Sequence, residues 1–311
     1  MQILKFTLAT IVGIALFTLA GCTPTPTPDP TPVTPTVTNN CALESQKDGV
    51  NNVITLTYDA QHRIQKQSFY NTTGTLLSTS EYEYNADGRV SKKINRDASA
   101  ISIGFSLYEY NATGKLTFER KYNSNGVLTY QDEYIYNSSA QLSRKNSFYN
   151  SSSGGLFPSD YYTYQHTGNS NKPSRMDGFF GQASQTQTPS STSYTYDGND
   201  NIINESSTYN ISSKTSTVVR TFDTKQNALI TFAGLKPTAV TGTVSENGIA
   251  GKNNVLSEVR TTYFNSGSNT QNTVIQTTYT YTFDAKGNPT TQAVRPTSGT
   301  AKDYIFGFHC H

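Results

Sequence analysis

Nine residues, YEYNADGRV at 82–90, return as YEYNATGKL at 108–116, and this doubling constrains the fold more than any other feature of the 311-residue chain. Aligned on an aromatic followed by Asn or Asp, the series runs Tyr58-Asp59, Tyr70-Asn71, Tyr84-Asn85, Tyr110-Asn111, Tyr122-Asn123, Tyr136-Asn137 and Tyr149-Asn150. It resumes at Tyr196-Asp197, Tyr209-Asn210, Phe222-Asp223 and Phe283-Asp284. Gly74, Gly88, Gly114, Gly126 and Gly287 stand three positions after the Asn or Asp, and an aliphatic residue follows shortly, as in Leu76, Val90, Leu116 and Leu128. Asn and Asp close Asx-turns and glycine accepts positive φ, so each period of mostly 12 to 15 residues reads as one strand plus one turn.

Between turns the residues alternate as a half-buried strand requires. In 75–84, Leu76, Tyr82 and Tyr84 share a face and Glu81 and Glu83 the other; in 115–122, Leu116, Phe118 and Tyr122 share one. No window beyond the N-terminus has a 3.6-residue apolar period, so helix is expected to be scarce. The hydrophobic fraction is low, 34%, but 21 Tyr and 15 Phe supply the apolar area that disordered chains lack. The expected fold is all-β: a long antiparallel up-and-down meander, curved or closed into a barrel. With 15% charged residues and a net charge of +2, the chain carries no nucleic-acid footprint.

The N-terminus reads as an address. Lys5 precedes an apolar run, Phe6 to Ala20, with the length of a secretory signal rather than of a membrane-spanning helix. It ends in Leu19-Ala20-Gly21-Cys22, which resembles a bacterial lipobox and implies cleavage before Cys22 and lipidation of it. Thr23, where inner-membrane lipoproteins often carry Asp, implies outer-membrane delivery, on the periplasmic or the cell-surface side. Residues 23–38, TPTPTPDPTPVTPTVT, favour extended polyproline II and bury nothing. The expected organisation is 1–21 signal peptide, 22–40 lipidated Cys and spacer, and 41–311 a single β-repeat domain. The membrane is the partner through the anchor, with a glycan or a surface protein as the ligand class.

The units YEYNADGRV, YEYNATGKL and YTFDAKGN (281–288) resemble the tyrosine-aspartate repeats of Rhs-type surface and toxin proteins. They do so in the degenerate form found in lipoproteins of uncharacterised function, some of porin-like fold. The resemblance covers about residues 53–290 and is weak over 150–195 and 230–275. It implies a sheet architecture and a surface context, and no catalytic residue. The chain lacks the Asp-Pro-x-Gly-Leu motif of Rhs cores, so toxin delivery is not expected.

Of the three Cys, lipid on Cys22 leaves Cys41 and Cys310 to form a disulfide, which requires either that the first and last strands, 303–310 being the last, are neighbours, as in a closed barrel, or that the N-terminal segment crosses to the far edge. Tyr82, Tyr84, Tyr108, Tyr110, Tyr134 and Tyr136 either stack on a ligand, if exposed, or form an aromatic ladder inside the sheet. His309 and His311 flank Cys310, and with only His62 and His166 elsewhere no metal site is expected. No Gly-x-Ser-x-Gly elbow occurs, and Glu81 with Glu83, or Asp132 with Glu133, are weak candidates for glycoside hydrolysis. Sequons at Asn71, Asn111 and Asn137 read as turn residues. Loops are expected over 151–160, 181–193 and 233–254, the last with Gly234, Gly242, Gly248 and Gly251. An inward aromatic face with Arg120 beside Asp132 distinguishes a soluble barrel from a lipid-facing one. The leading expectation is a non-enzymatic, cofactor-free lipoprotein; the alternatives are a carbohydrate-active hydrolase and a transmembrane barrel.

Overall fold

The computed structural model describes residues 41–151, 155–180, 190–209, 214–227, 251–266 and 269–310. They form β1 Cys41–Asp48, β2 Asn51–Tyr58, β3 Ile64–Tyr70, β4 Leu76–Tyr84, β5 Val90–Asp97, β6 Ser102–Tyr110, β7 Leu116–Asn123, β8 Leu128–Tyr136 and β9 Leu142–Ser151. These are followed by β10 Gly155–His166, β11 Pro173–Phe180, β12 Ser190–Tyr196, β13 Ile202–Tyr209, β14 Lys214–Gln226, β15 Asn253–Ser266, β16 Asn269–Phe283, β17 Pro289–Pro296 and β18 Lys302–Cys310. Each strand pairs antiparallel with its sequence neighbours, and β1 pairs with β18, so the 18-stranded sheet closes into a barrel with no free edge. Among the described residues there is no helix.

The turns are built as the repeat dictates. At Asn71 the side-chain Oδ1 accepts the backbone N–H of Thr73 and of Thr75, 3.0 and 2.8 Å away. The N–H of Gly74 bonds back to the Asn71 carbonyl, with Gly74 at φ 80°. The same construction recurs at Asp59, Asp97, Asn111, Asn123, Asp197 and Asp284. This is a type I turn closed by a left-handed residue, which ends in a bulge. The Asp97 turn carries Ala100 in place of Gly and Arg96 in place of Tyr, and so escapes an alignment on aromatic residues.

The bulge decides which side chains are inside. At the Asn111 turn Tyr110 pairs with Leu116 while Glu109 pairs with Phe118, so Thr117 is the extra residue. Leu116 is therefore buried in the core, but Phe118, Arg120 and Tyr122 share the outer face with Phe105, Leu107 and Glu109. This corrects the simple alternation that put Leu116, Phe118 and Tyr122 on one face. It also separates Arg120 from Asp132. Arg120 lies outside, its Nε 2.8 Å from Gln131 Oε1 and its guanidinium paired with Glu109. Asp132 lies inside, buried against Ser147 at 2.6 Å and Lys145 at 3.6 Å.

The interior is an aromatic and aliphatic cluster of Leu43, Leu56, Ile64, Tyr82, Val90, Tyr108, Leu116, Tyr134, Leu142 and Phe306. Beside it lie polar pairs, such as Ser80 with Asn95 at 3.0 Å and Thr192 with Ser207 at 3.0 Å. Around β13 to β15 the inner face holds Arg220, its side chain 1% exposed, 2.9 Å from Glu258 and 3.3 Å from Glu205. Burial of these charges is tolerated because the guanidinium has two carboxylates to donate to.

One sequence expectation about a segment changes. The stretch 151–160 is mostly strand, the end of β9 and the start of β10. A strand that the repeat does not announce precedes the repeats: β1 (CALESQKD) has no repeat signature yet pairs on both sides. Most of 181–193 and 233–254, including Gly234, Gly242 and Gly248, lies outside the described residues. Gly251 sits where a Cβ would be 2.2 Å from Asn201 Oδ1.

Candidate functional site

Two ends of the barrel can be distinguished. At the proximal end β1 begins, and the turns after β2, β4, β6 and β8 follow Tyr58, Tyr84, Tyr110 and Tyr136, which fall 26 residues apart. Here the phenol of each of the latter three donates to the backbone carbonyl of the first residue of the preceding strand: Tyr84 to Ile64 at 2.7 Å, Tyr110 to Val90 at 2.7 Å, Tyr136 to Leu116 at 2.8 Å. Tyr58 donates to Leu43, and Tyr196 to Pro173 at 2.9 Å. The residue before each accepting carbonyl is a cation over the same ring: Arg63 4.2 Å above Tyr84, Arg89 5.8 Å above Tyr110, Lys115 5.5 Å above Tyr136. Each hairpin thus clasps the tyrosine of the next through one hydrogen bond and one cation–π contact. In β10 the expected tyrosine is replaced by His166, whose Nε2 lies 2.8 Å from the Leu142 carbonyl.

These clasps place the six tyrosines named for ligand stacking. Tyr82, Tyr108 and Tyr134 are buried, and Tyr84, Tyr110 and Tyr136 are committed at both their hydroxyls and their faces. They form the ladder that fills the wall, and sugar stacking is not available to the three buried rings. Burial pushes the Tyr84 phenol up to about 12, with Asp59 adding to the rise and Arg63 opposing it.

Cys22 and the whole of residues 1–40 lie outside the described residues. Cys41 is buried and stands directly opposite Cys310 in the β1–β18 register. Lys286 Nζ approaches its Sγ at 3.7 Å. The carboxylate pairs do not converge on a cleft. Glu81 and Glu83 face outward, paired with Arg96 at 3.0 Å and Lys92 at 3.5 Å, while Asp132 and Glu133 point to opposite sides of the wall. Among the described residues no three His, Cys, Asp or Glu side chains gather as metal ligands. Asn71 and Asn111 spend their side-chain oxygens on their turns. A shallow depression of about 490 Å³ at the other, distal end is lined by Gln46, Asp48, Tyr70, Lys302 and Tyr304 among others.

Lys172 Nζ is held 2.8 Å from Asp200 at the proximal rim, and burial, with Lys252 nearby, lowers it to about 8. Two features escaped the reading of the sequence: the inward charge cluster around Arg220, and the contrast between the two sets of turns. The second was legible. The fourth residue past the turn Asx is Arg63, Arg89 or Lys115 at the proximal end and Thr75, Ile101 or Val127 at the distal end.

The class defined by these features is a closed, 18-stranded antiparallel barrel with a packed interior and Asx-closed hairpins. No known protein family matches the chain, and no curated protein matches it. Among solved structures it is similar to a porin-like protein from Bacteroides uniformis, at 14% identity over 88% of this chain and 98% of that one, with a TM-score of 0.42. It is also similar to a DUF3836 family protein from Parabacteroides distasonis, at 19% identity over 30% of this chain and 76% of that one, TM-score 0.20. A third is a Tc holotoxin pore from Photorhabdus luminescens, at 11% identity over 83% of this chain, TM-score 0.25; the match takes in 15% of that chain.

Proposed function

We propose that this protein is a non-enzymatic lipoprotein, held at the outer membrane by lipid on Cys22, whose barrel stands in water as a binding or structural module. Its repeats are of the tyrosine-aspartate kind, and in support the proximal steps at Tyr84-Asn85, Tyr110-Asn111 and Tyr136-Asn137 are each one structural unit, a clasped ring followed by an Asx-turn. The observation that carries the water-facing wall is the charge that the outer face holds at mid-strand. Glu81 in β4, paired with Arg96, and Arg120 in β7, paired with Glu109 and bonded to Gln131, occupy positions that in a spanning barrel would face hydrocarbon. Each such charge at the bilayer midplane costs about 2–4 kcal/mol. A ligand, whether a glycan or a surface protein, meets the outer wall or a rim rather than the tyrosine ladder.

A second reading, a transmembrane barrel, is favoured by Val219 and Val274, outward-facing and 49% and 58% exposed. Removing residues 1–40 separates the two. A water-facing barrel stays in solution without detergent, and a spanning one precipitates unless detergent is present. Independently, Cys22→Ala is expected to leave the chain unprocessed by the lipoprotein pathway and to shift it out of the outer-membrane fraction; unchanged fractionation sinks the anchor.

A further inference from the structure

Exposed apolar side chains are not scattered over this barrel but gather at its distal end. Val50 in the β1–β2 turn is 88% exposed, Leu77 at the start of β4 53%, Ile101 before β6 64% and Val127 before β8 51%. Phe157 near the start of β10 and Tyr263 near the end of β15 are each 41% exposed. Five of the six positions lie on the consecutive hairpins from β1–β2 to β9–β10 and the sixth on β15–β16, so the apolar band follows an arc of the rim. Toward the proximal end only Ile135 and Leu256 are comparably exposed among the described residues, and Val219, Val274 and Ile305 stand on the wall between. The turns follow the same division. Proximal turns carry Asp59, Arg63, Asp87, Arg89, Lys115 and Asp200, whereas the distal turns 71–75, 97–101 and 123–127 carry Asp97 alone.

We propose that the distal rim docks end-on against a lipid bilayer, its apolar residues entering the interfacial layer while the walls stay in water. An arc of apolar side chains that runs along five successive hairpin tips is met all at once by a planar partner. Exposed apolar residues in such numbers mark an interaction surface, and rims with aliphatic and aromatic tips bind interfaces through buried apolar area. The length of chain before the barrel permits this geometry. The stretch from Cys22 to Cys41, extended at about 3.1 Å per residue, reaches roughly 60 Å. A nine-residue strand is about 30 Å long and the 15-residue β16 about 50 Å, both within that reach. A chain entering at the proximal end and anchored through Cys22 can therefore lay the distal rim on the membrane that holds the anchor. Docking itself does not depend on the anchor, so the test omits it.

The chain has no Trp, so a single one introduced reports cleanly on its surroundings. The protein from residue 22 onward, carrying Cys22→Ala, is prepared with Val127→Trp at the distal rim, with Ile135→Trp toward the proximal end, or with Val219→Trp at mid-wall. Each is mixed with phosphatidylcholine vesicles, neutral overall or containing phosphatidylglycerol. The expected result is a blue-shifted emission for Val127→Trp alone, with neutral vesicles sufficient. The double substitution Ile101→Ser, Val127→Ser is expected to lower the vesicle-bound fraction of the Trp-free protein about tenfold. Its circular dichroism should be unchanged, and a fold lost in the double variant leaves the Trp reporters to decide. A shift for Val219→Trp places the wall itself in lipid and overturns end-on docking. So does a shift for Ile135→Trp alone, binding that needs anionic lipid, or equal flotation of a folded double variant. Self-association without vesicles that the same two serines abolish assigns the rim to a second copy and overturns the proposal as well.

Discussion

Position three past the turn Asx is where single residues matter most. Gly74, Gly88, Gly114, Gly126 and Gly287 hold φ between 75° and 86° there, but His62, Ala100, Ala140 and Asp200 are forced into the same left-handed region at 59° to 70°. A Cβ in that conformation costs about 1–2 kcal/mol, and glycine's extra freedom in the unfolded chain offsets part of what its removal relieves. Ala100→Gly and Ala140→Gly are each expected to stabilise the barrel by about 1 kcal/mol, read as a higher urea midpoint at unchanged slope. Gly104 is the opposite case. It sits inside β6 at φ 147°, and a Cβ there would meet the Tyr122 carbonyl oxygen at 2.4 Å. Gly104→Ala should therefore lose about 2 kcal/mol or more; an unchanged midpoint would show that the β6–β7 ladder yields there. Asp59 adds a pH dependence at the same scale. Burial alone would raise its carboxyl, but the Arg63 side chain and the backbone N–H groups of Arg63 and Gln61 outweigh that and hold it below its ordinary value. A carboxyl lowered on folding contributes stability above its unfolded pKa, near 4, and loses that contribution as pH falls through the lower folded value.

At the scale of strands, the clasp between successive hairpins is the unit that repeats. Tyr84→Phe keeps the ring under Arg63 and deletes the hydrogen bond to the Ile64 carbonyl, so the expected loss is about 1 kcal/mol, whereas Tyr84→Ala removes both and the core contact. The phenols also set an alkaline limit. Burial raises both Tyr84 and Tyr196 to about 12. A group raised on folding contributes stability that is complete below its unfolded pKa of about 10 and is lost as pH climbs through the folded value. Tyrosinate absorbance is thus expected to appear late, together with loss of the β signal; early ionisation of most rings in a folded barrel contradicts the ladder. Strands, turns and the inward tyrosines were legible because ring, Asx and Gly recur at fixed offsets. The side taken by Phe118 and Arg120 was not. Alternation predicts a face only while pairing is unbroken, and a bulge after each turn moves an aliphatic residue such as Leu116 inward and flips the rest of its strand. Arg220 was hidden for a different reason: β13 to β15 invert the usual order, with Glu205, Arg220 and Glu258 inside and Thr217, Val219 and Thr261 outside. Composition cannot say which of two alternating rows is buried when both are largely polar.

Closure is the property of the whole molecule, and it rests on one seam that the repeat does not supply. Every other hairpin joins strands adjacent in sequence, but β1 and β18 meet from opposite ends of the chain, paired from Cys41 opposite Cys310 to Asp48 opposite Tyr304. The positions of the two Cys in sequence pointed to this meeting, and an open sheet would have exposed two edges to aggregation. A covalent bridge between Cys41 and Cys310 would add to the seam chiefly by restricting the unfolded chain. For a loop near 270 residues the chain-entropy model gives about 5 kcal/mol as an upper figure. Backbone pairing along β1–β18 does not require the bridge, so Cys41→Ser is expected to leave the far-UV signal and the closed fold in place. Its unfolding midpoint should nonetheless fall by the equivalent of about 2–5 kcal/mol. Burial of Cys41, 3% exposed, adds a kinetic signature. Reductant is expected to open the bridge slowly in the native barrel and rapidly in urea, because the sulfur must first be uncovered by fraying of β1. Non-reducing peptide mapping decides the matter: a linked peptide pair containing residues 41 and 310 fits the seam, while free thiols at both positions leave closure to the β1–β18 hydrogen bonds alone.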